Sequence, residues 1–216
     1  MTGTSTPVDT EAMLLIHRLI RREIGALPAL FRGAAGDVPR AKLVGAHARE
    51  MLDFLHTHHS GEDELLWPVL RPRVSLDAEL IDRMQGQHAQ LAETIDSVSS
   101  ELPGWAQTAD EATGERMAEQ LESALPVLLA HLQEEEQRIL PLVEQHFSPT
   151  EWDALGKHGF AAIPGKRRLV ILGHILEEAD ERERANFWHH VPPPARVAYK
   201  LIGRRQFSRD VATIRR

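Results

Sequence analysis

Apolar positions recur at intervals of three and four along the first two thirds of the chain, the repeat of helices that each bury one stripe. Met13, His17, Ile20, Ile24 and Leu27 form the first stripe, on a helix that starts near Asp9. Gly33, Gly36 and Pro39 mark a turn, and Val44, His47, Met51, Phe54, Leu55, His58, Glu62, Leu65, Leu66 and Val69 form the second stripe, ended by Pro68, Pro72 and Ser75. A third helix is predicted from about Asp77 through Leu80, Ile81, Met84, His88, Leu91 and Ile95, broken by Pro103 and Gly104. The fourth runs from about Glu111 through Met117, Leu121, Leu128, His131, Glu135, Ile139, Leu142 and Val143 to near His146. With no convincing strand alternation in this stretch, the reading is all-α: an antiparallel up-down-up-down four-helix bundle over residues 9–147.

The inner stripes carry polar residues where apolar ones are expected. His58-Glu62-Pro68 and His131-Glu135-Pro141 repeat one spacing, and each copy follows a lone histidine, His17 and His88, by 41 and 43 residues. Counting along helices from the turns places the four histidines in one layer, to within about one and a half turns. Two buried glutamates facing each other require protons or a cation, because an uncompensated buried carboxylate costs several kcal/mol, on the order of the usual penalties. Imidazole and carboxylate without sulfur suit iron, manganese or zinc, and two carboxylates able to bridge favour a dinuclear centre. Such a set gives each metal two nitrogens and two oxygens, leaving positions for an oxo or hydroxo bridge and an outside ligand. The alternatives are a satisfied hydrogen-bond network, a zinc ion on the same ligands, and a competing pair, His59 with Asp63, whose face is expected to turn Leu55 and Leu66 away.

Composition narrows the setting. The chain lacks cysteine, which removes disulfides, thiolate ligands and thiol nucleophiles and suits a reducing compartment. No secretory leader or apolar run of about 20 residues is evident, so the expectation is a cytoplasmic protein with no membrane partner. Residues 1–149 carry 12 Lys/Arg against 24 Asp/Glu, and residues 150–216 carry 13 against 8. An acidic body disfavours phosphate backbones, so no nucleic-acid partner is expected. The basic segment 148–216 opens with a capping box at Ser148 and Glu151 and continues in short pieces around Trp152–Leu155, Leu169–Ala179, Glu183–His189 and Ala195–Gly203. These are too short for a core of their own and are expected to dock on the bundle, as a packing appendage, a dimer arm, or a lid formed by Phe187, Trp188 or Tyr199. The assembly is expected to be a monomer or homodimer.

The histidine of the first helix, then HHSGEDELLWP, a third-helix histidine and HLQEEEQRILP together resemble the hemerythrin-like HHE cation-binding domain, over roughly residues 9–147. The resemblance implies a four-helix bundle with two non-heme iron ions. His17 and His58 would bind one iron, His88 and His131 the other, and Glu62 and Glu135 would bridge. Oxygen-carrying members have a second third-helix histidine where this chain has Ala92, and an aspartate one residue beyond the position of Glu135. A missing ligand opens a coordination position, which favours chemistry over carriage. The reading that follows is an oxidoreductase of oxidative or nitrosative stress, decomposing peroxide as a catalase does or reacting with oxygen or nitric oxide. Its alternative is a protein that binds, senses or stores oxygen, nitric oxide or iron without turnover.

Four further readings concern single residues. Asp63 or Glu134 is expected to accept a hydrogen bond from a ligand imidazole. Gly61 either makes room beside the metals or faces solvent. His47 reads as a core or helix-end histidine, and Pro126 either kinks the fourth helix or marks its start.

Overall fold

The inner stripes do bury, and they build a ring of four long helices. A computed structural model describes residues 8–74 and 78–216. The bundle helices are α1 (Glu11–Gly33), α2 (Val38–Gly61), α4 (Ala78–Thr108) and α5 (Glu111–Glu134). α1 packs on α2 and α5, and α4 packs on α2 and α5. The predicted third-helix start near Asp77, and Ser75 before it, lie outside the described residues. One end of the bundle is filled by Trp105, edge-on to Phe31 at 5.1 Å between ring centroids. Gly45 and Gly114 flank it, and a Cβ on Gly114 would come within 3.0 Å of the Trp105 indole nitrogen. The chain therefore runs from the histidine layer toward Trp105 in α1 and α4, and back again in α2 and α5.

One of the predicted breaks is not a break. Pro103 lies inside α4, which continues to Thr108. A proline at 103 cannot donate to the carbonyl of Ser99, and the Arg49 guanidinium donates to that carbonyl instead. Pro126 lies inside α5, which begins at Glu111, so it does not mark the start of that helix.

The proline of each repeated motif has a structural effect. α2 and α5 widen into π-turns at the motif glutamates, π1 (Glu62–Leu66) and π2 (Glu135–Ile139), before resuming as α3 (Trp67–Leu70) and α6 (Leu140–His146). Pro68 and Pro141 cannot donate four residues back, so the ladder slips by one residue. Trp67 N–H donates to the carbonyl of Glu62, and Leu140 N–H to that of Glu135. Both glutamates thus begin a wider turn at the same height in the bundle.

Residues 148–216 form α7 (Pro149–Ala162), α8 (Arg168–Leu176), α9 (Glu181–His190), α10 (Pro193–Ala198), a π-turn π3 (Tyr199–Gly203) and α11 (Arg204–Ile214). α7 is longer than the predicted piece, and α10, π3 and α11 continue past Gly203 as one helical run. α7 packs on α2 and π1, α8 and α9 on α1, and α11 on α8 and α2. Ile171 enters the bundle's own apolar core. Ion pairs add to the contact: Arg18 with Glu183 at 2.6 Å, and Arg167 with both Glu50 at 2.6 Å and Asp210 at 2.7 Å. Phe187, Trp188 and Tyr199 pack with Leu172 and Leu176 on α8 and form no lid over the histidine layer. Among the described residues no helix is long and apolar enough to cross a membrane.

Candidate metal centre

The polar layer is sealed between two apolar ones. On the Trp105 side lie Ile20, Leu55, Leu91 and Leu128. On the other side lie Leu66, Met84 and Ile139, with Met13 beside them. Between these, the structure brings together all six residues picked out by the motifs. His17, His58, Glu62 and Glu135 present donor atoms within 4.8 Å of one another, as do His88 and His131 with a third imidazole, His59.

Glu62 spans the two groups. Its Oε1 lies 3.2 Å from His58 Nε2 and its Oε2 lies 3.3 Å from His88 Nε2. Glu135 Oε2 lies 3.2 Å from His17 Nε2 and 3.9 Å from His131 Nε2. These approaches are close but not aligned as hydrogen bonds. Both oxygens of each glutamate, and Nε2 of His17, His58 and His59, are buried without a hydrogen-bond partner. Buried orphan donors and acceptors are rare, because each costs about 1–3 kcal/mol.

The outward nitrogens explain what the inward ones are free to do. His88 Nδ1 lies 2.9 Å from Asp63 Oδ1, His131 Nδ1 3.1 Å from Gln87 Oε1, and His17 Nδ1 2.9 Å from Glu136 Oε1. Each acceptor oxygen draws the proton to Nδ1 and leaves the Nε2 lone pair facing inward. His88 Nε2 and His131 Nε2 then face each other at 3.1 Å. Two lone pairs at that distance repel unless a cation or a proton lies between them.

Protons are the metal-free solution. Burial pulls the His17 imidazole down, but Glu135 and Glu136 outweigh it and push it up to about 9. His88 likewise rises to about 9, burial being outweighed by Asp63 and Glu62. Burial drives His58 and His59 well below the usual histidine range. Burial raises both carboxyls: Glu135 adds to the rise at Glu62, whereas the nearby His17 charge overcomes it at Glu135. Even so, the inward nitrogens of His58 and His59 and the glutamate oxygens stay unpaired. The donor set fits metal cations, which would engage all of them at once.

His59 departs from the sequence reading, in which its face turned away from Leu55 and Leu66. Those three residues are buried on one face: Leu55 is 2 % exposed, His59 5 % and Leu66 0 %. The His59 ring stacks on His88 at 4.1 Å between centroids and meets His131 edge-on at 5.1 Å. Leu52, Leu55, His59, Glu62 and Leu66, spaced three and four apart, were the signal that could have found it. Asp63 does accept from an imidazole; Glu134 pairs instead with Arg83 and Arg138. Glu136 and Gln87, also acceptors, were not singled out. Gly61 neither admits a ligand nor faces solvent: a Cβ there would lie 3.1 Å from His158 Cδ2 and 3.2 Å from Leu155 Cδ1, so the glycine admits α7.

A second buried group of metal-binding residue types joins Glu23, His174 and Glu177 between the bundle and the C-terminal arm. Here the carboxylates already have cations. Arg215 contacts Glu23 and Glu177, both at 2.7 Å, and Arg22 contacts them at 2.7 and 3.1 Å. His47 lies 3.2 Å from Glu23 on the other side, as a buried core histidine. This is an ionic clasp for the arm.

No curated protein and no solved structure matches the chain. Its residues 8–143 match the family model of the hemerythrin HHE cation binding domain. That span takes in every residue of the polar layer and the helices that hold it, and the chain belongs to this family.

Proposed function

We propose that this chain is a non-heme dinuclear iron protein that meets a small oxidant, hydrogen peroxide above all, at the metal held by His17 and His58. The unequal division of imidazoles carries the reading. His59, His88 and His131 surround one position and only His17 and His58 the other. With Glu62 and Glu135 between the two positions, a metal at the second would be held by one imidazole fewer, which would leave room for an outside ligand.

Iron, when bound, supplies the exchange of electrons with the oxidant. The chain's own residues supply the rest. The apolar layers keep water from the centre. Glu136 accepts from His17 Nδ1 and is held by Arg21 at 2.6 Å. Glu136 is itself 24 % exposed while His17 is fully buried, so Glu136 can pass a proton between solvent and His17. Two peroxides consumed as a pair give two waters and one dioxygen, a reaction that needs protons moved but none supplied.

A second reading is binding of oxygen or nitric oxide, or iron storage, without turnover. His59 favours it, because it restores a third imidazole that the absence of a histidine at Ala92 had taken away. Metal analysis and an optical spectrum of the purified protein, followed by peroxide addition in an oxygen electrode, separate the two. Two irons per chain with prompt oxygen release are expected. Two irons without oxygen release would leave the binding reading, and a colourless protein holding one zinc would overturn both.

A further inference from the structure

The basic C-terminal run has an outer face that none of the described residues covers. From Pro193 to Ile214, α10, π3 and α11 turn Tyr199, Gly203 and Ile214 into the molecule, with Phe207 against His174. The run also exposes Val197 of α10 and Leu201 and Ile202 of π3, at 56 %, 69 % and 52 %. Lys200, Arg204, Arg205 and Arg209 are exposed around and beyond them.

Those four cations cluster on one helical run and differ from most of the chain's arginines. Other arginines are engaged: Arg18, Arg22, Arg32, Arg73, Arg167 and Arg215 hold carboxylates, and Arg40, Arg49 and Arg196 hold backbone carbonyls. Among the described residues Lys200, Arg204, Arg205 and Arg209 form no ion pair, because the nearby acids are spent elsewhere. Asp210 serves Arg167, and Glu177 serves Arg215 and Arg22. A protein of net charge −7 thus concentrates unpaired positive charge beside its exposed aliphatic side chains.

We propose that this face, Val197, Leu201 and Ile202 with Lys200, Arg204, Arg205 and Arg209, docks the protein on an anionic lipid bilayer. The sequence reading expected no membrane partner, since no segment is long enough to span one; a face that lies on the surface needs no such segment. Aliphatic side chains enter the boundary between headgroups and acyl chains, while lysine and arginine stems reach up to the phosphates. Each signal is weak alone, and stable attachment takes both together. Val197 and Arg209 are twelve residues apart, about 18 Å of helix, so the seven exposed side chains lie along a little over three turns of one helical run. The acidic bundle lies behind the arm and is turned away from the anionic surface.

The chemistry selects this occupant over others. A nucleic-acid backbone would satisfy the cations but offer three aliphatic side chains nothing to contact. A second copy would need roughly 20–30 residues a side for a stable interface, far more than this patch contains.

Flotation of the full metal-loaded chain with vesicles rich in phosphatidylglycerol, against vesicles of phosphatidylcholine alone, tests the proposal. Binding to the anionic vesicles only, weakened by salt, is expected. Arg204→Gln and Arg205→Gln should each lower the partition about fivefold, and Leu201→Ser with Ile202→Ser should lower it about tenfold or more. These side chains are exposed, so an unchanged melting temperature will show the fold intact. Absence of binding to anionic vesicles overturns the proposal. So does binding that ignores the serine substitutions, which would mark a polyanion site, and so does a vesicle-independent dimer abolished by the same substitutions.

Discussion

Replacing His59 by leucine should move the stability of the metal-free and metal-loaded protein in opposite directions. Without metal, His59 holds a buried Nε2 with no partner, a cost of about 1–3 kcal/mol that leucine removes. Leucine forfeits the stacking on His88, worth about 0.5–1.5 kcal/mol. The net gain is about 1 kcal/mol, or a rise of about 2–4 °C in Tm for a chain of this size. With metal, one of three imidazoles at one position is gone. Losing a group that merely orients a ligand typically weakens metal binding about 10–100-fold, so losing a ligand should cost about 100-fold or more. That equals about 2.7 kcal/mol of binding-linked stability. Scanning calorimetry with chelator, and again with ferrous iron under anaerobic conditions, reads both signs, with metal analysis alongside. A variant that keeps two metals and an unchanged loaded Tm would show that His59 is a packing residue and refute the three-imidazole reading.

Glu62→Ala and Glu135→Ala should each reduce the metal content and change the optical spectrum; two metals with an unchanged spectrum would show that neither carboxylate bridges. Gly61→Ala should be close to neutral, since about 1 kcal/mol gained in helix propensity offsets the push against His158 and Leu155. Gly61→Val should cost about 1–3 kcal/mol by overpacking, and hydrogen exchange should show the loss in α7 before the bundle. Acid should loosen the arm. The Arg18 hydrogen bond and the Asp180 backbone N–H hold Glu183 down to about 2, from an ordinary value of 4.5. A depressed carboxyl contributes fully above about pH 5 and loses its contribution as pH falls through 4.5 toward 2. Solvent screening at Arg18, which is 33 % exposed, limits this to about 1–2 kcal/mol. Acid titration followed by tryptophan fluorescence of Trp188 should show it, and Arg18→Ala should move the transition to higher pH. A transition that Arg18→Ala leaves in place would mean that other groups govern the release.

Periodicity and spacing by themselves determined the helical class, the four bundle stripes and the six-residue set His17, His58, Glu62, His88, His131 and Glu135. They could do so because a polar residue on a buried stripe is conspicuous against its apolar neighbours, and because a repeat with matching prolines is unlikely by chance. The capping box at Ser148 and Glu151 was equally local and equally legible. Tertiary structure alone decided the rest. His59 lies about 100° around the helix from His58, and only the packing of α2 against both α1 and α4 shows that the two faces both point inward. The helix through Pro103 depends on Arg49, fifty-four residues away, reaching the carbonyl that proline leaves free. Gly61 has its meaning from α7, nearly a hundred residues later, and the ionic clasp at Glu23 needs His174 and Arg215 brought from the far end of the chain. A local pattern can show which residues want company, but which partners they meet is fixed by the long-range packing that folds distant segments together.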